Sequence, residues 1–201
     1  MRYGSDQKET TRRRIIEKAG ERFKKDGIVA SGISTLMADA GLTNGAFYAH
    51  FASKDELVTT TVTEQLLEEK ERFVTDPDDD GAFERIVREY LSPGHRDDPA
   101  HGCPSAALLE EIGRCSAATR EAYTEGVLAS LDGLTVHLEA GSQEDAQARA
   151  MGIFSVMVGT LQAARAVTNA ALSDAILEQG VRNTLTLVGP SAGGSGSEST
   201  H

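Results

Sequence analysis

Side chains suited to hydrogen bonding with a nucleic acid are concentrated in one short stretch of the chain, residues 42–51. Asn44, Tyr48 and His50 can reach base edges and phosphates with their polar groups. The glycine and alanine that follow Asn44 are small enough for the backbone to approach another surface closely. These residue types, in this order, predict binding in the major groove of double-stranded DNA.

A helix-turn-helix is predicted to hold this stretch. The apolar spacing of residues 33–37 indicates a short helix with Ser34 and Thr35 on its outer face. Gly41 ends that helix, and Thr43 is the expected N-cap of the next helix, which carries the stretch. Two short helices joined by a tight turn with glycine form the motif that places its second helix in the major groove.

The aromatic residues of the stretch divide between packing and contact. Phe47 and Phe51 lie four residues apart, about one helical turn, so we expect both to pack in the core. Tyr48 and His50 lie off that face and are predicted to contact DNA. The alternative for Tyr48 is partial burial with an exposed hydroxyl, and for His50 it is a surface position or a cap of the helix.

Residues 10–66 closely resemble the DNA-binding domain of TetR-family transcriptional regulators. The resemblance rests on an arginine-rich first helix, Gly-Leu-Thr at 41–43, Gly-Ala-Phe-Tyr-Ala-His-Phe at 45–51 and Ser-Lys-Asp-Glu-Leu at 53–57. It implies a homodimeric regulator, in the usual case a repressor, that binds a palindromic DNA operator. By the same resemblance, phosphates are contacted by Thr43, Tyr48, His50 and Lys54. Bases face Asn44, Gly45 and Ala46, with further readout expected from Ser34 and Thr35.

The resemblance and the apolar patterning together predict an all-α chain of about nine helices. An N-terminal three-helix helix-turn-helix domain, residues 8–52, is followed by a helical ligand-binding and dimerisation domain, residues 53–188. Residues 1–7 are predicted to be a disordered arm. Residues 189–201, rich in Gly and Ser, are predicted to be a flexible tail.

Local signals indicate where several helices begin. Ser53 and Glu56 have the spacing of a capping box. Ser142, three residues before Asp145, is a predicted N-cap, and Ser173 is the predicted N-cap of the last helix.

The charge distribution places the proposed DNA surface at the N-terminal end. Residues 1–60 hold ten Lys/Arg and eight Asp/Glu, a net charge of +2, whereas residues 61–201 hold ten and twenty-three, a net charge of −13. An acidic body of this kind orients the molecule with its DNA-reading end towards the phosphates.

Several bulk features predict a cytoplasmic protein. The N-terminal residues lack an apolar signal region, no apolar run is long enough to span a membrane, and two cysteines in 201 residues suggest reduced thiols. We expect no cofactor.

The second part of the chain is predicted to control and pair the subunits. The resemblance implies that the last two helices, predicted at about 143–171 and 173–188, pair with their copies in a homodimer. The all-apolar run 151–161 suits burial on both sides, and the alternative is the central helix of a monomer. An effector pocket is expected in the body of this domain, and its candidate lining residues, each of which could instead be core, are Phe83, Tyr90, Tyr123 and Phe154.

Cys103 is a candidate sensor. Pro104 suits the first position of a helix, which assigns Cys103 to the N-cap. There the helix dipole is expected to lower the pKa of the thiol. The Gly-Cys segment is similar to electrophile-sensing members of the TetR family, so electrophile modification is a second candidate signal. The alternative is a small buried cysteine that only packs.

A different class of protein is also considered. His95, His101 and Cys103 are close in sequence and could bind zinc, or could support a cysteine-dependent enzyme. However, His-x-Cys lacks the ligand pairs of ordinary structural zinc sites. No orienting Asn or Asp can be assigned to a catalytic cysteine. We therefore predict no catalytic residues and no metal site.

Overall fold

The computed structural model of the protein describes residues 2–74, 79, 81–138 and 142–188, so the predicted tail 189–201 lies outside the described residues. Helices alone make up the regular structure of that part, which confirms the all-α prediction. The α-helices are α1 (Arg2–Asp26), α2 (Ile33–Asp39), α3 (Lys54–Phe73), α4 (Ala82–Tyr90), α5 (Pro93–Asp97), α6 (Pro104–Ile112), α7 (Ala117–Thr135), α8 (Gln143–Ala166) and α9 (Ala170–Val188). Two 3₁₀ helices lie at Asn44–Ala49 and Pro99–His101. No helix within the described ranges has the length and apolarity needed to cross a membrane.

The N-terminal arm is helical where a disordered segment was expected. Helix α1 begins at Arg2, not at Lys8. The Thr10 and Thr11 hydroxyls donate to main-chain oxygens four residues back, each at 2.8 Å. The polar arm has no apolar face to signal a helix. Extending an existing helix is nevertheless easy, since nucleation has already occurred in the buried part of α1.

A first hydrophobic core holds the helix-turn-helix together. Its largest fully buried side chains include Phe23, Leu36, Phe47 and Leu57, contributed by α1, α2, the 3₁₀ helix and α3. Residues Leu108 and Ile112 of α6 complete this core. The DNA-binding region is therefore packed directly on a helix of the second part of the chain.

A second core lies among the later helices. Its buried residues come from the end of α3 and from α4, α6, α7, α8 and α9, and they include Phe73, Val87, Cys103, Leu134, Ile153, Met157, Leu161 and Leu177. Helix α6 thus contributes its first residues to the second core and its last residues to the first.

Two of the predicted helix starts are confirmed. Ser53 Oγ accepts the Glu56 N–H at 3.1 Å, and the Glu56 carboxylate accepts the Ala52 N–H at 2.7 Å, so this turn is capped in both directions. Ser142 Oγ accepts the Asp145 N–H at 3.2 Å.

The predicted cap of the last helix is wrong. Helix α9 begins at Ala170, and Asn169 Oδ1 accepts the Leu172 N–H at 2.9 Å. Helix α8 correspondingly ends at Ala166, before the predicted end at 171. Ser173 is buried and donates its hydroxyl hydrogen to the Ala164 carbonyl at 2.7 Å. Asn and Ser are both good N-caps, so residue type alone could not separate them.

Candidate nucleic-acid interface and regulatory cavity

The recognition segment, residues 43–51, contains the 3₁₀ helix Asn44–Ala49 where an α-helix was expected. The Ala46 N–H donates to the Thr43 carbonyl at 3.0 Å, and the His50 N–H donates to the Phe47 carbonyl at 2.9 Å. Gly41 makes the preceding turn with a φ of +68°, a conformation that favours glycine. Thr43 holds the predicted N-cap position, but its hydroxyl makes no capping bond.

The two phenylalanines of the segment are core residues, as predicted. Phe47 is 0% exposed and Phe51 is 2% exposed, and their ring centroids lie 5.8 Å apart. The Tyr48 ring meets Phe47 edge-on at 5.2 Å while remaining 71% exposed. The core therefore fixes the backbone that presents Tyr48 to the outside.

The predicted DNA-contacting residues lie on α2, on the 3₁₀ helix with the residue before and the residue after it, and at the start of α3. Their side chains, or the backbone in the case of glycine, are exposed for Ser34, Thr35, Thr43, Asn44, Gly45 and Tyr48. Ala46, His50 and Lys54 are half-buried.

His50 lies close to two cations of α1 that were not among the predicted DNA-contacting residues. Partial burial lowers the pKa of His50, and the positive charges of Lys8 and Arg12 lower that pKa further. The Arg12 guanidinium carbon also lies 4.7 Å from the centroid of the Phe51 ring. The four-residue spacing of Lys8 and Arg12 was the available signal, because it places both side chains on one helix face.

Lys54 is engaged within the protein. Its ammonium group donates to the Ile28 carbonyl at 2.5 Å. A phosphate contact by Lys54 requires this bond to be exchanged, and that contact stays a prediction.

A cavity of about 430 Å³ lies beside Tyr90, between the end of α3, α4 and the segment that contains α5. We call it the Tyr90 cavity. Its lining residues are Glu69, Arg72, Phe73, Ile86, Glu89, Tyr90, Ser92, Gly94, His95, Asp98 and His101.

Of the four residues expected to line an effector pocket, the structure places only Tyr90 in this cavity. The Phe83 ring packs against the His137 ring at 5.4 Å. The Tyr123 hydroxyl donates to Ser105 Oγ at 3.0 Å, and Phe154 packs on the second core. Periodicity indicates which residues turn inward, but it does not show where the interior is left unfilled.

The expected lowering of the Cys103 pKa is wrong. Cys103 does occupy the N-cap of α6, yet the thiol is fully buried. Burial raises its pKa to about 12, and the negative charge of Glu69 contributes to the increase. Desolvation of a thiolate outweighs the helix dipole here. Both Cys103 and Cys115 are free thiols.

The two neighbouring histidines do not converge on the Cys103 sulfur. His95 Nε2 accepts the backbone N–H of Cys103 at 2.9 Å, and His95 Nδ1 lies 2.7 Å from the Tyr90 carbonyl, to which it donates. His101 is exposed, with Nδ1 at 2.8 Å from Asp98 Oδ2. Across the described residues, no group of three metal-ligating side chains is assembled.

Hydrogen bonds tie the region of α6 to the DNA-binding region at both ends. Just before α6, the Gly102 carbonyl accepts from the Lys24 ammonium of α1 at 2.9 Å. Near the end of α6, the Glu111 carboxylate accepts the Val29 N–H at 3.0 Å. These two bonds join α6 and the segment before it to α1 and to the turn that follows α1.

Comparisons with known proteins agree with this geometry. Residues 15–60 match the family model described as bacterial regulatory proteins, tetR family. Reduced NemR from E. coli is 17% identical, with 89% of this chain and 98% of that chain covered and a TM-score of 0.73. A TetR-family regulator from Cytophaga hutchinsonii is 19% identical, with coverages of 92% and 98% and a TM-score of 0.71.

A third solved structure shares the fold at a lower score. FadR from Bacillus subtilis in complex with stearoyl-CoA is 18% identical, with coverages of 85% and 97% and a TM-score of 0.59. A search among curated proteins found no match.

The helix-turn-helix and the helical body define a DNA-binding transcriptional regulator. Residues 15–60 match the TetR family model and the whole chain shares its fold with solved TetR-family regulators, in agreement with the resemblance seen in the sequence. The family consists of regulators rather than enzymes, so the alternative of a cysteine-dependent enzyme is not supported.

Proposed function

We propose that this regulator is a repressor, acting in the cytoplasm, which binds a palindromic operator as a homodimer and leaves it when a small molecule occupies the Tyr90 cavity. One observation carries the proposal. The segment before α6 borders the cavity with His101 and, one residue later, bonds to Lys24 of the DNA-binding region through Gly102. A molecule that displaces this segment also changes the support of α1.

A second cavity strengthens this connection. A groove of about 450 Å³ lies between α1 and α3, and it shares Glu69, Arg72 and His101 with the Tyr90 cavity. The Arg72 guanidinium donates to the His101 carbonyl at 3.3 Å across this shared wall. Displacement of Arg72 by a ligand would therefore reach the groove next to α1.

The proposed dimer interface uses α8 and α9. Met151 is 50% exposed and Leu172 is 51% exposed, which is unusual for large apolar side chains. Ser155, Gly159 and Ala163 continue the exposed stripe of α8 at intervals of four residues. A stripe of small residues after Met151 allows the same helix of a second subunit to approach closely, which suits a two-fold interface formed by one patch of each subunit.

Electrophile modification of Cys103 is a second proposed signal. The thiol lies beside two lining residues of the cavity, Glu69 and Tyr90, which affect its pKa. Because it is buried and neutral, reaction requires the start of α6 to open first. We therefore propose non-covalent occupation of the cavity as the main route of release.

Operator selection tests the repressor proposal. The purified protein is used to enrich sites from random double-stranded DNA, followed by binding measurements and a reporter gene placed behind the enriched site. We expect a palindrome whose half-sites lie about one helical turn, or a small multiple of it, apart. Failure to enrich any palindrome, or activation of the reporter, would contradict the proposal.

Lys24→Met tests the coupling once an operator and a releasing compound are known. Methionine keeps the apolar stem but cannot donate to Gly102. We expect operator affinity to stay within about threefold, with the ligand-induced loss of affinity reduced by roughly fivefold or more, on the scale of ordinary allosteric coupling. Lys25→Met, an exposed neighbour on the same helix, is the matched control. Equal release by both variants would show that the coupling runs elsewhere.

A further inference from the structure

We infer that the Tyr90 cavity takes an organic cation: a compact aromatic or apolar body carrying a protonated amine, whose ammonium group is held by Glu69 and Tyr90. This inference rests on the proposed effector function, since it names the class of molecule that occupies the same cavity.

Two polar groups of the cavity residues are buried without a hydrogen-bond partner. Glu69 is 2% exposed with Oε1 unpaired, and Tyr90 is 7% exposed with its hydroxyl unpaired. The Cys103 thiol interacts with both side chains, but sulfur is a weak donor and a weak acceptor, so neither oxygen gains a strong hydrogen bond from it. Unsatisfied groups of this kind are rare in native proteins, and a ligand with several donors would satisfy both.

The charges around the cavity favour a positive ligand. Three carboxylate residues, Glu69, Glu89 and Asp98, line it, against one permanent cation, Arg72. Arg72 lies 3.5 Å from Oε2 of Glu69, which leaves Oε1 for a second cation. His95 adds no charge near neutral pH, because burial lowers its pKa to about 4.

The two other cations of this region donate to main-chain carbonyls, although Nη1 of Arg165 is buried without a partner. Lys24 donates to the Gly102 carbonyl, and Arg165 donates to the His95 carbonyl at 2.7 Å. Neither belongs to the cavity lining. Burial also raises the pKa of Glu69, so a carboxylate there gains from a nearby ammonium group.

The cavity walls suit a small aromatic body. Its volume of about 430 Å³ is at the lower end of the range usual for ligand sites. The Phe73 and Tyr90 rings lie 6.4 Å apart at an interplanar angle of 33° and form an apolar wall next to Glu69. An aromatic face also attracts an ammonium ion, which adds to the carboxylate's preference for a cation.

Three matched probes test the ligand class by calorimetry on the free protein. They are 2-phenylethylamine, the neutral 2-phenylethanol and the anionic 3-phenylpropionate at pH 7. We expect the amine to bind at least tenfold more tightly than the alcohol, and the acid to bind most weakly. Equal binding of amine and alcohol, or tighter binding of the acid, would overturn the inference without any variant having to fold.

Substitutions test whether Glu69 and Tyr90 cause the preference for the amine over the alcohol. Glu69→Gln keeps the shape of the side chain, and it should reduce the amine-to-alcohol ratio to less than threefold. Tyr90→Phe should weaken the amine by a few fold. Glu71→Gln, an exposed position on the same helix, should retain the full preference. Retention of that preference by a folded Glu69→Gln protein would overturn the assignment of the ammonium to Glu69.

Release from the operator is measured separately, so the two proposals can fail independently. If the amine binds through Glu69 but leaves operator affinity unchanged, the ligand class stands and the effector function fails. If another class of compound competes for the cavity and releases DNA while the amine does not bind, the effector function stands and the cationic class fails.

Discussion

Polar groups are exposed to solvent in the recognition segment, whereas in the Tyr90 cavity two of them are buried. In the recognition segment, apolar anchors such as Phe47 are fully buried while Tyr48 and Asn44 face solvent. In the cavity, the unpaired oxygens of Glu69 and Tyr90 are buried. An unsatisfied buried polar group costs roughly 1–3 kcal/mol, so the cavity is poorly stabilised when empty. The recognition segment is thus built to be held in place, and the cavity to gain from a ligand.

Helix α6 packs against both hydrophobic cores, and we propose that it couples the cavity to the recognition segment. Leu108 and Ile112 pack in the first core, whereas Cys103 and Ala106 pack in the second. Since interiors are closely packed, a displacement at one end of a short helix is transmitted to the other. Four predictions test the contrast between a rigid surface and an adaptable cavity.

The largest effect is expected from removing an anchor of the recognition segment. Phe47→Ala should lower the free energy of unfolding by about 3–5 kcal/mol, because it opens a cavity in the first core. Chemical denaturation measures this loss. Val29→Ala, at a position that is 85% exposed in the same region, should change stability by less than about 0.5 kcal/mol. Similar losses in both variants would mean that the first core does not rigidly support the segment.

The next largest effect concerns the two thiols. With a pKa of about 12, only about one Cys103 thiol in 10⁴ is ionised at pH 8. Cys103 should therefore react with iodoacetamide at least a hundredfold more slowly than the half-buried Cys115. Mass spectrometry of the Cys103→Ser and Cys115→Ser variants separates the two rates. Fast alkylation of Cys103 would show that α6 opens readily, which would favour the covalent route of release.

A smaller effect is expected at the DNA surface itself. Tyr48→Ala should weaken operator binding about tenfold per half-site, on the scale of one hydrogen bond to a charged phosphate. Its far-ultraviolet circular dichroism should not change, since the side chain is 71% exposed. Tyr48→Phe distinguishes the hydroxyl from the ring in the same binding assay. Unchanged affinity in the alanine variant would remove Tyr48 from the interface.

The smallest effect concerns pH. Burial lowers the pKa of His95 from 6.5 to about 4, so the unfolded chain binds the extra proton between these values and the folded chain does not. Neutral His95 therefore makes its full contribution to the free energy of unfolding above pH 6.5. That contribution is lost as the pH falls towards 4.

Comparison with His95→Gln isolates this contribution. Between pH 7 and pH 4, wild type should lose about 1–2 kcal/mol more stability than the variant, a value reduced for the partial exposure of the ring. Denaturation at a series of pH values measures the difference. Parallel pH profiles would show that His95 is not held neutral.

Local patterns in the sequence were sufficient to predict the parts of the molecule that depend on near neighbours. The four-residue spacing of Phe47 and Phe51 indicated their burial, and Ser53 with Glu56 indicated a helix start. The motif at residues 45–51 identified the TetR-family helix-turn-helix. Each of these signals reflects geometry within one or two turns of chain.

Tertiary structure decided the features that depend on distant groups. Cys103 has the local setting of an activated thiol, but burial beside Glu69 and Tyr90 makes it neutral. Likewise, the sequence does not show that Lys24 bonds to Gly102. Desolvation and cavity shape depend on contacts between elements far apart in sequence. Only the packing of the helices therefore determines them.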